Sequence, residues 1–447
     1  MRTLPCLPRS WIVGLCAAAL MTAAATAPAA EPERDAPLLV RAGRMFDSES
    51  GQLLPGRDIL VRGDRIEQVG ERLELPPDGR LLDLSGYTVL PGLIDGHTHL
   101  MQEHPGDEGS GETGVREIVR EGEVLRALRG AARARTYLEA GFTSLRDLGN
   151  AGRFGDTALK RALAEGTLPG PRLHVSGPGL SPSGGQFDGI VPQHQDLVGH
   201  EYRVVRGPDD ARVAVREAAV QGVDHIKIFS NGSPLPTYLS VAEMRAIVEE
   251  AHLHGLKVTA HATTDPAIGR ALDAGVDAIE HGRAASPATL ARMKEMRVPL
   301  VLTEWGKELI DIDIERAPPH LRPSAVRIDA IMSQSRGRVA AALKAGVDVA
   351  FGSDMYVDFG ISRGRAALTA LDAYVEGGMT PAAALRSATF LAGRLIAPDR
   401  LGVIKPGAYA DLIAVEGDPT ADLQALERLR CVLLGGKLRE IPGAVCR

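Results

Sequence analysis

The sequence predicts an α/β fold: a (β/α)8 TIM barrel carrying a small β-sandwich built from both ends of the chain. Three observations predict it. Between residues 91 and 400, short β-branched runs alternate with Ala-rich helical stretches, and the candidate strands number eight, as such a barrel requires. Residues 36–90 and 401–447 read instead as short alternating strands with Gly-rich turns, and neither piece is large enough to bury a core alone. The helices between the barrel strands are sharply punctuated by caps. A doubly wound open sheet also alternates strands and helices. It would place a Gly-rich phosphate loop after its first strand, where this chain has His97-Thr98-His99-Leu100.

Residues 1–30 read as a secretory leader. Arg2 and Arg9 precede the apolar stretch IVGLCAAALMTAAATA, and Ala27-Pro28-Ala29 offers a small-x-small cleavage site. The stretch is short for a membrane span. Cys16 would suit a lipoprotein, but Leu15 stands where a small residue is expected. Cleavage near Ala29 or Ala30 and export to a bacterial periplasm are expected. The first sandwich portion follows as LLVRAGRMF, DILVRGDRIEQVG and RLLDLSGYTVL, with Gly63-Asp64 as a hairpin turn.

The barrel strands end in GLIDGHTHL, TSLRDLG, RLHVSG, HIKIFS, KVTAHA, AIEHG, VPLVLTEW and DVAFGSD. The helix SVAEMRAIVEEAHLHG opens with Ser240 and Glu243, a capping box, and stops at Gly255. In DPAIGRALDAG the pattern makes Asp265 the cap, Pro266 the first helical residue and Gly275 the stop. SPATLARMKEM and TPAAALRSATFLAG open with the same cap-then-proline device. The chain returns to strands in GVIKPGAYADLIAVEGDP and CVLLGGKLRE. Beyond the leader only Cys431 and Cys446 remain, and their spacing leaves a disulfide open.

The balance of 44% hydrophobic and 24% charged residues is that of a soluble globular protein. The net charge is −6 and there is no basic run, so neither nucleic acid nor an anionic membrane is expected as a partner. Aromatic residues are only 4%, so Ala, Leu, Val and Ile must build the core.

Catalytic groups of a barrel lie at the C-terminal ends of its strands. There the sequence places His97 and His99 on the first strand, Lys227 on the fourth, His261 on the fifth, His281 on the sixth and Asp354 after the eighth. Alternation turns His97 and His99 to one face, so both can grip one metal ion. Alone, HxH reads equally as a pair of half-buried strand histidines, His261 or His281 as a core histidine, and Asp354 as a helix cap. Together they form a metal-competent rim. Lys227 lies between Ile226 and Ile228, and burial favours its neutral amine. A neutral amine can add carbon dioxide, giving a carbamate whose two oxygens bridge two metal ions. His225 shares the inward parity of Lys227 one layer deeper and is assigned to core packing. His252 and His254 occupy different faces of a helix and are assigned to the surface. Asp95 and Asp147 are candidate acceptors that orient the ligand histidines.

PGLIDGHTHL, DHIKIFSNG, VTAHATT, IEHG and FGSD, in this order, resemble the amidohydrolase superfamily, in the branch of prolidase-like dipeptidases and imidazolonepropionase-related hydrolases. The resemblance runs from about Ala36 to the C-terminus. It implies His97, His99 and Asp354 on one metal ion and His261 and His281 on a second, with Lys227, carboxylated by CO2, bridging them. Two divalent transition-metal ions, zinc by the imidazole and carboxylate donors, are the expected cofactors. The chain departs from the branch at Thr263, where relatives carry a histidine or aromatic residue, and at Gln186, where relatives carry a histidine. Both positions fall beside the substrate, as does Tyr238, a candidate partner for a substrate carboxylate with simple packing as the alternative.

The resemblance implies hydrolysis of the amide bond of a dipeptide or N-acyl amino acid by a bridging hydroxide, with Asp354 as the catalytic proton carrier. A hydrolase of cyclic or other non-peptide amides is the alternative, and an inactive exported metal-binding protein is a second of another class. The expected partner is a small amide or dipeptide substrate, with no membrane after leader cleavage. The oligomeric state is left open, a homo-oligomer included.

Overall fold

The alternating runs at both ends of the chain meet in one sheet. The computed structural model describes residues 36–105, 110–149, 152–232, 235–320, 322–443 and 446; the leader expected at residues 1–30 lies outside them. Strands Leu38–Asp47, Gln52–Arg62, Arg65–Gly70 and Arg80–Pro91 join Leu412–Val415, Leu429–Leu434 and Lys437–Leu438 in a seven-stranded sheet. The seam is antiparallel, with Pro91 opposite Leu412 and Val89 opposite Ala414, so main-chain hydrogen bonds join the two ends of the chain. Gly63-Asp64 forms the two-residue turn between paired Arg62 and Arg65. Register shifts at Ala42/Arg44 and Ala414/Val415 bend the sheet, because an extra residue kinks a strand. The sheet thereby encloses its own core of Val40, Ile59, Ile66, Leu84, Leu412 and Leu433, as a β-sandwich.

The second body is the barrel. Its strands are, in order, Leu93–Thr98, Phe142–Asp147, Arg172–Val175, His225–Phe229, Lys257–Ala262, Ala278–His281, Leu300–Leu302 and Val349–Phe351. The first three pair in parallel, and so do the fourth to the eighth. Two seams close the ring. The Asp224 N–H donates to the Val175 carbonyl at 2.8 Å, and the Asp354 N–H donates to the His97 carbonyl at 2.8 Å, beside a bridge between Thr98 and Met355. The second seam carries the chemistry, because it sets Asp354 against the first strand.

The helix caps largely follow their sequence signals. Ser240 and Glu243 form the reciprocal box, and Ser286 and Thr380 accept the N–H groups of Thr289 and Ala383. The expectation of Asp265 as a cap is corrected. Thr264 caps that helix by accepting from the Ala267 N–H, and Asp265, at the first helical position, accepts the Ser286 N–H at 2.7 Å and ties two successive barrel loops together. Gly275 ends the helix in the left-handed conformation as expected. Among the described residues, no helix is long and apolar enough to cross a membrane.

Cys431 and Cys446 form a disulfide with a Cα–Cα distance of 5.0 Å, resolving the pairing left open by the sequence. It fastens the C-terminal tail to the strand Leu429–Leu434. The bond closes a loop with a sequence separation of 15, for which chain entropy supplies about 3 kcal/mol of stability. Cys446→Ser is expected to destabilise the protein by up to about that amount. Thermal unfolding with and without reductant measures it; equal midpoints for the oxidised protein and the variant would show that the bond adds nothing.

Candidate metal centre

Strand parity alone brings the first two histidines together. His97 Nε2 lies 3.3 Å from His99 Nε2. Asp354 Oδ1 lies 3.3 Å from His97 Nε2 and 3.2 Å from His99 Nε2, and Asp354 Oδ2 lies 3.7 Å from His281 Nδ1. His97, His281 and Asp354 each offer one donor atom, and the three atoms lie within 4.8 Å of one another. The His261 ring stands 4.6 Å from that of His281 and 5.1 Å from that of Phe229. Lys227 reaches the same cleft from the fourth strand, its Nζ 5.4 Å from the Phe229 ring centre. All six side chains expected as ligands line one cleft of about 280 Å³.

The backbone is bent to this purpose. His281 and Asp354 have φ of 66° and 50°, unusual for residues with a Cβ and a form of strain that collects at functional sites. Gly352, two residues before Asp354, must be glycine: a Cβ there would fall 2.6 Å from the His97 Cβ. The glycine of FGSD thus allows the eighth strand to lie directly against His97.

The electrostatics suit cation binding. Burial pushes the imidazoles of His261 and His281 far below the ordinary histidine range, so both are neutral and present a lone pair. Burial alone would raise Asp354, but His97, His99 and His281 outweigh it and hold the carboxyl well below its usual range. Burial lowers Lys227 to about 8, against the opposing pull of Glu280 and Asp354. The donor set therefore comprises four imidazoles, those of His261 and His281 neutral, an ionised carboxylate and an amine eased toward its neutral form, and it fits divalent transition metals.

Two charged residues that the sequence reading missed support this set. Glu280 is completely buried, accepts His97 Nδ1–H at 2.7 Å and pairs with Arg146 Nη1 at 2.9 Å. Burial would raise its carboxyl, but Arg146, His97 and Lys227 hold it well below the carboxylate range. It fixes the His97 tautomer, so that Nε2 faces Asp354. The signal was present: an acidic residue in the short barrel strand AIEH and a basic one in FTSLRD must find partners if buried.

The roles expected of Asp95 and Asp147 are corrected. Asp95 Oδ1 accepts the N–H groups of His97 and Ser353 at 3.1 and 2.9 Å, and Asp147 accepts those of Leu100 and Gly149 at 2.6 and 3.1 Å. They brace the backbone of the metal loops, while the Gly149 carbonyl takes His99 Nδ1–H at 2.8 Å and Thr303 Oγ1 lies 2.8 Å from His281 Nδ1. His225 is buried beneath Lys227, as expected. His252 and His254 are partly exposed, paired with Asp277 and Glu250.

Of the expected substrate contacts, Gln186 and Thr263 line the cleft. Gln186 Nε2 lies 3.5 Å from His261 Nε2 and its Oε1 accepts from Tyr202 OH at 3.3 Å, while Thr263 is bonded to Asn231. Tyr238 lies elsewhere: it is 60% exposed, packs on the Arg270 guanidinium at 4.6 Å, and is not among the residues lining the cleft. Arg283 and Tyr356, on loops, and His104, in the two-residue strand His104–Pro105, line the cleft unannounced, because none lies in a segment with a periodic signal.

Residues 88–439 match the model of the amidohydrolase family. The chain is 27% identical to ochratoxinase of Aspergillus niger over 449 aligned positions, covering 91% of this chain and 87% of that one. It resembles the crystal structure of a Xaa-Pro dipeptidase with bound methionine, with a TM-score of 0.75 and 29% identity, over 91% of this chain and all (100%) of the other. A prolidase complexed with N-methylphosphonate-L-proline matches with a TM-score of 0.76 and 30% identity, over 91% and 100%.

Glu280→Gln tests the support beneath His97. The change keeps the shape but leaves Arg146 buried without its counter-charge, which typically costs about 3–5 kcal/mol. Loss of a partner of this kind also lowers metal affinity by about 10–100-fold. A lower unfolding midpoint and reduced metal retention on dialysis are expected; wild-type values for both would show that the pair is dispensable.

Proposed function

Because the chain belongs to the amidohydrolase family and is a hydrolase of amide bonds, we propose that it cleaves a dipeptide or N-acyl amino acid at a binuclear metal centre. The convergence of six metal-competent side chains, from five different strand ends, on one cleft carries this reading. His97, His99 and Asp354 would hold one ion, His261 and His281 the other, and carboxylated Lys227 both. When bound, two transition-metal ions such as zinc supply a nucleophile at neutral pH and polarise the scissile carbonyl.

The chain's own residues do the rest. Asp354 is ionised and sits at the centre of the cluster, so it can take the proton of the attacking water at a carboxylate oxygen. It then returns the proton to the leaving nitrogen, without which an amine departs poorly. Glu280 accepts from His97 Nδ1–H and so keeps Nε2 turned toward the metal side of the cleft. Arg283 stands on the rim of the cleft, close enough to His261 and Tyr356 to perturb both, and suits a substrate carboxylate. Dipeptides and N-acyl amino acids carry that group, and similarity to a prolidase, a Xaa-Pro dipeptidase and an ochratoxinase supports the same class. Export belongs to the same proposal, supported by the Cys431–Cys446 disulfide, since such bonds persist in oxidising compartments.

Asp354→Asn separates proton transfer from the other steps. An amide side chain cannot accept and return a proton at neutral pH, so turnover of an amide substrate is expected to fall by about 10²–10⁴-fold. An ester of the same acid should lose less, because an alcohol leaves more readily. Both substrates are measured on both proteins at equal metal content; equal losses would rule out Asp354 as the acid that frees the amine.

A further inference from the structure

The opposite end of the barrel holds a second charged cavity. It is lined by the beginnings of the later strands, at Lys257, Ala278, Pro299 and Asp348, and has a volume of about 170 Å³. Catalytic sites of this fold lie at the other face, so the metal centre does not account for it. Its cations are Arg146, Lys257, Arg297 and Arg394, and its acids are Asp277 and Asp348. Both acids are engaged: Asp348 pairs with Arg394 at 3.1 Å, and Asp277 accepts from His252 Nε2 at 2.9 Å and from the Val258 N–H at 2.7 Å.

Glu280 already matches Arg146, and Asp348 matches Arg394, so the cations without an ion-pair partner are Lys257 and Arg297, against Asp277 as the remaining acid. Lys257 Nζ donates to the Arg394 and Leu395 carbonyls, at 2.8 and 3.2 Å, and forms no salt bridge among the described residues, although Asp277 is near enough to act on it. Arg297 ends its helix in the left-handed conformation and, among the described residues, forms no salt bridge. Arg146 is the decisive group. It is 97% buried, with 3% of its surface exposed, and lines the cavity; Nη1 serves Gly96 and Glu280, while Nε–H has no hydrogen-bond partner. A buried guanidinium that keeps an unused donor is costly, and the Arg146 side chain, which borders the cavity, is a cation that an anion there would meet. The walls of Val258, Leu391 and Leu395 are apolar, which strengthens a charge-assisted hydrogen bond there.

We propose that this cavity at the N-terminal mouth of the barrel binds a small oxyanion, held by Arg146, Lys257 and Arg297. The same Arg146 anchors Glu280, so the anion site lies directly beneath the support of His97.

The test is calorimetric titration of the metal-loaded full-length protein with sodium sulfate, with sodium chloride holding ionic strength constant. Saturable binding of one sulfate per chain is expected. Arg297→Asn removes the cation with a residue that tolerates left-handed backbone, and Lys257→Met keeps the apolar stem. Each is expected to weaken binding about tenfold or more, as loss of a charged partner does. Arg283→Ala, at the other end of the barrel, should leave it unchanged. No saturable heat, binding unaffected by both substitutions, or binding lost only in Arg283→Ala, which would place the sulfate in the catalytic cleft, would each overturn the proposal.

Discussion

A carboxylate sealed inside a protein needs a cation beside it, and the pairing of Glu280 with Arg146 meets that need at the heart of the barrel. The second strand contributes the cation and the sixth the anion, so the pair forms only if the ring closes in the correct register. Glu280 spends its other oxygen on His97, which turns that imidazole toward Asp354. Asp354 in turn is placed by its own N–H, bonded to the His97 carbonyl across the closing seam. Charge pairing, strand register and ligand orientation are therefore one constraint.

This constraint explains why the strained residues lie where they do. His281, the last residue of the sixth strand, and Asp354, just beyond the eighth, have positive φ, and both side chains line the cleft. The cost falls on two residues, while Gly352 and Gly96 let neighbouring strands approach closely enough to hold them. The sandwich contributes from outside: the first sandwich portion leads through Pro91 into the first barrel strand, and its hydrogen-bonded partner Leu412–Val415 returns from the far end of the chain.

Much of this was legible in the sequence, for physical reasons that differ by element. The period-2 rule predicts that His97 and His99 share a face, and the barrel rule predicts that strand ends share a rim; both depend on backbone geometry alone. The capping box at Ser240 is equally local. Asp265 was misread because Thr264 and Asp265 are both competent caps, and only the reach of Asp265 to the Ser286 N–H decides between them. The Arg146–Glu280 pair was not legible as a pair, because its partners are far apart in the chain and meet across the barrel interior. Tyr238 was misplaced for the complementary reason: its loop follows the fourth strand, but the loop's path carries the ring outward onto Arg270. Asp95 and Asp147 sit beside the right residues, yet their carboxylates serve N–H groups that any tight loop must satisfy.

The account stands on a binuclear centre built around Lys227, a lysine with 2% exposure among Ile226, Ile228 and Phe229. The most direct measurement is a crystal structure of the zinc-loaded protein with anomalous data at the zinc edge. The account predicts two peaks, one among His97, His99 and Asp354 and one beside His261 and His281, with a carboxylate group extending Lys227 Nζ between them. A single peak next to an unmodified Lys227 would contradict it.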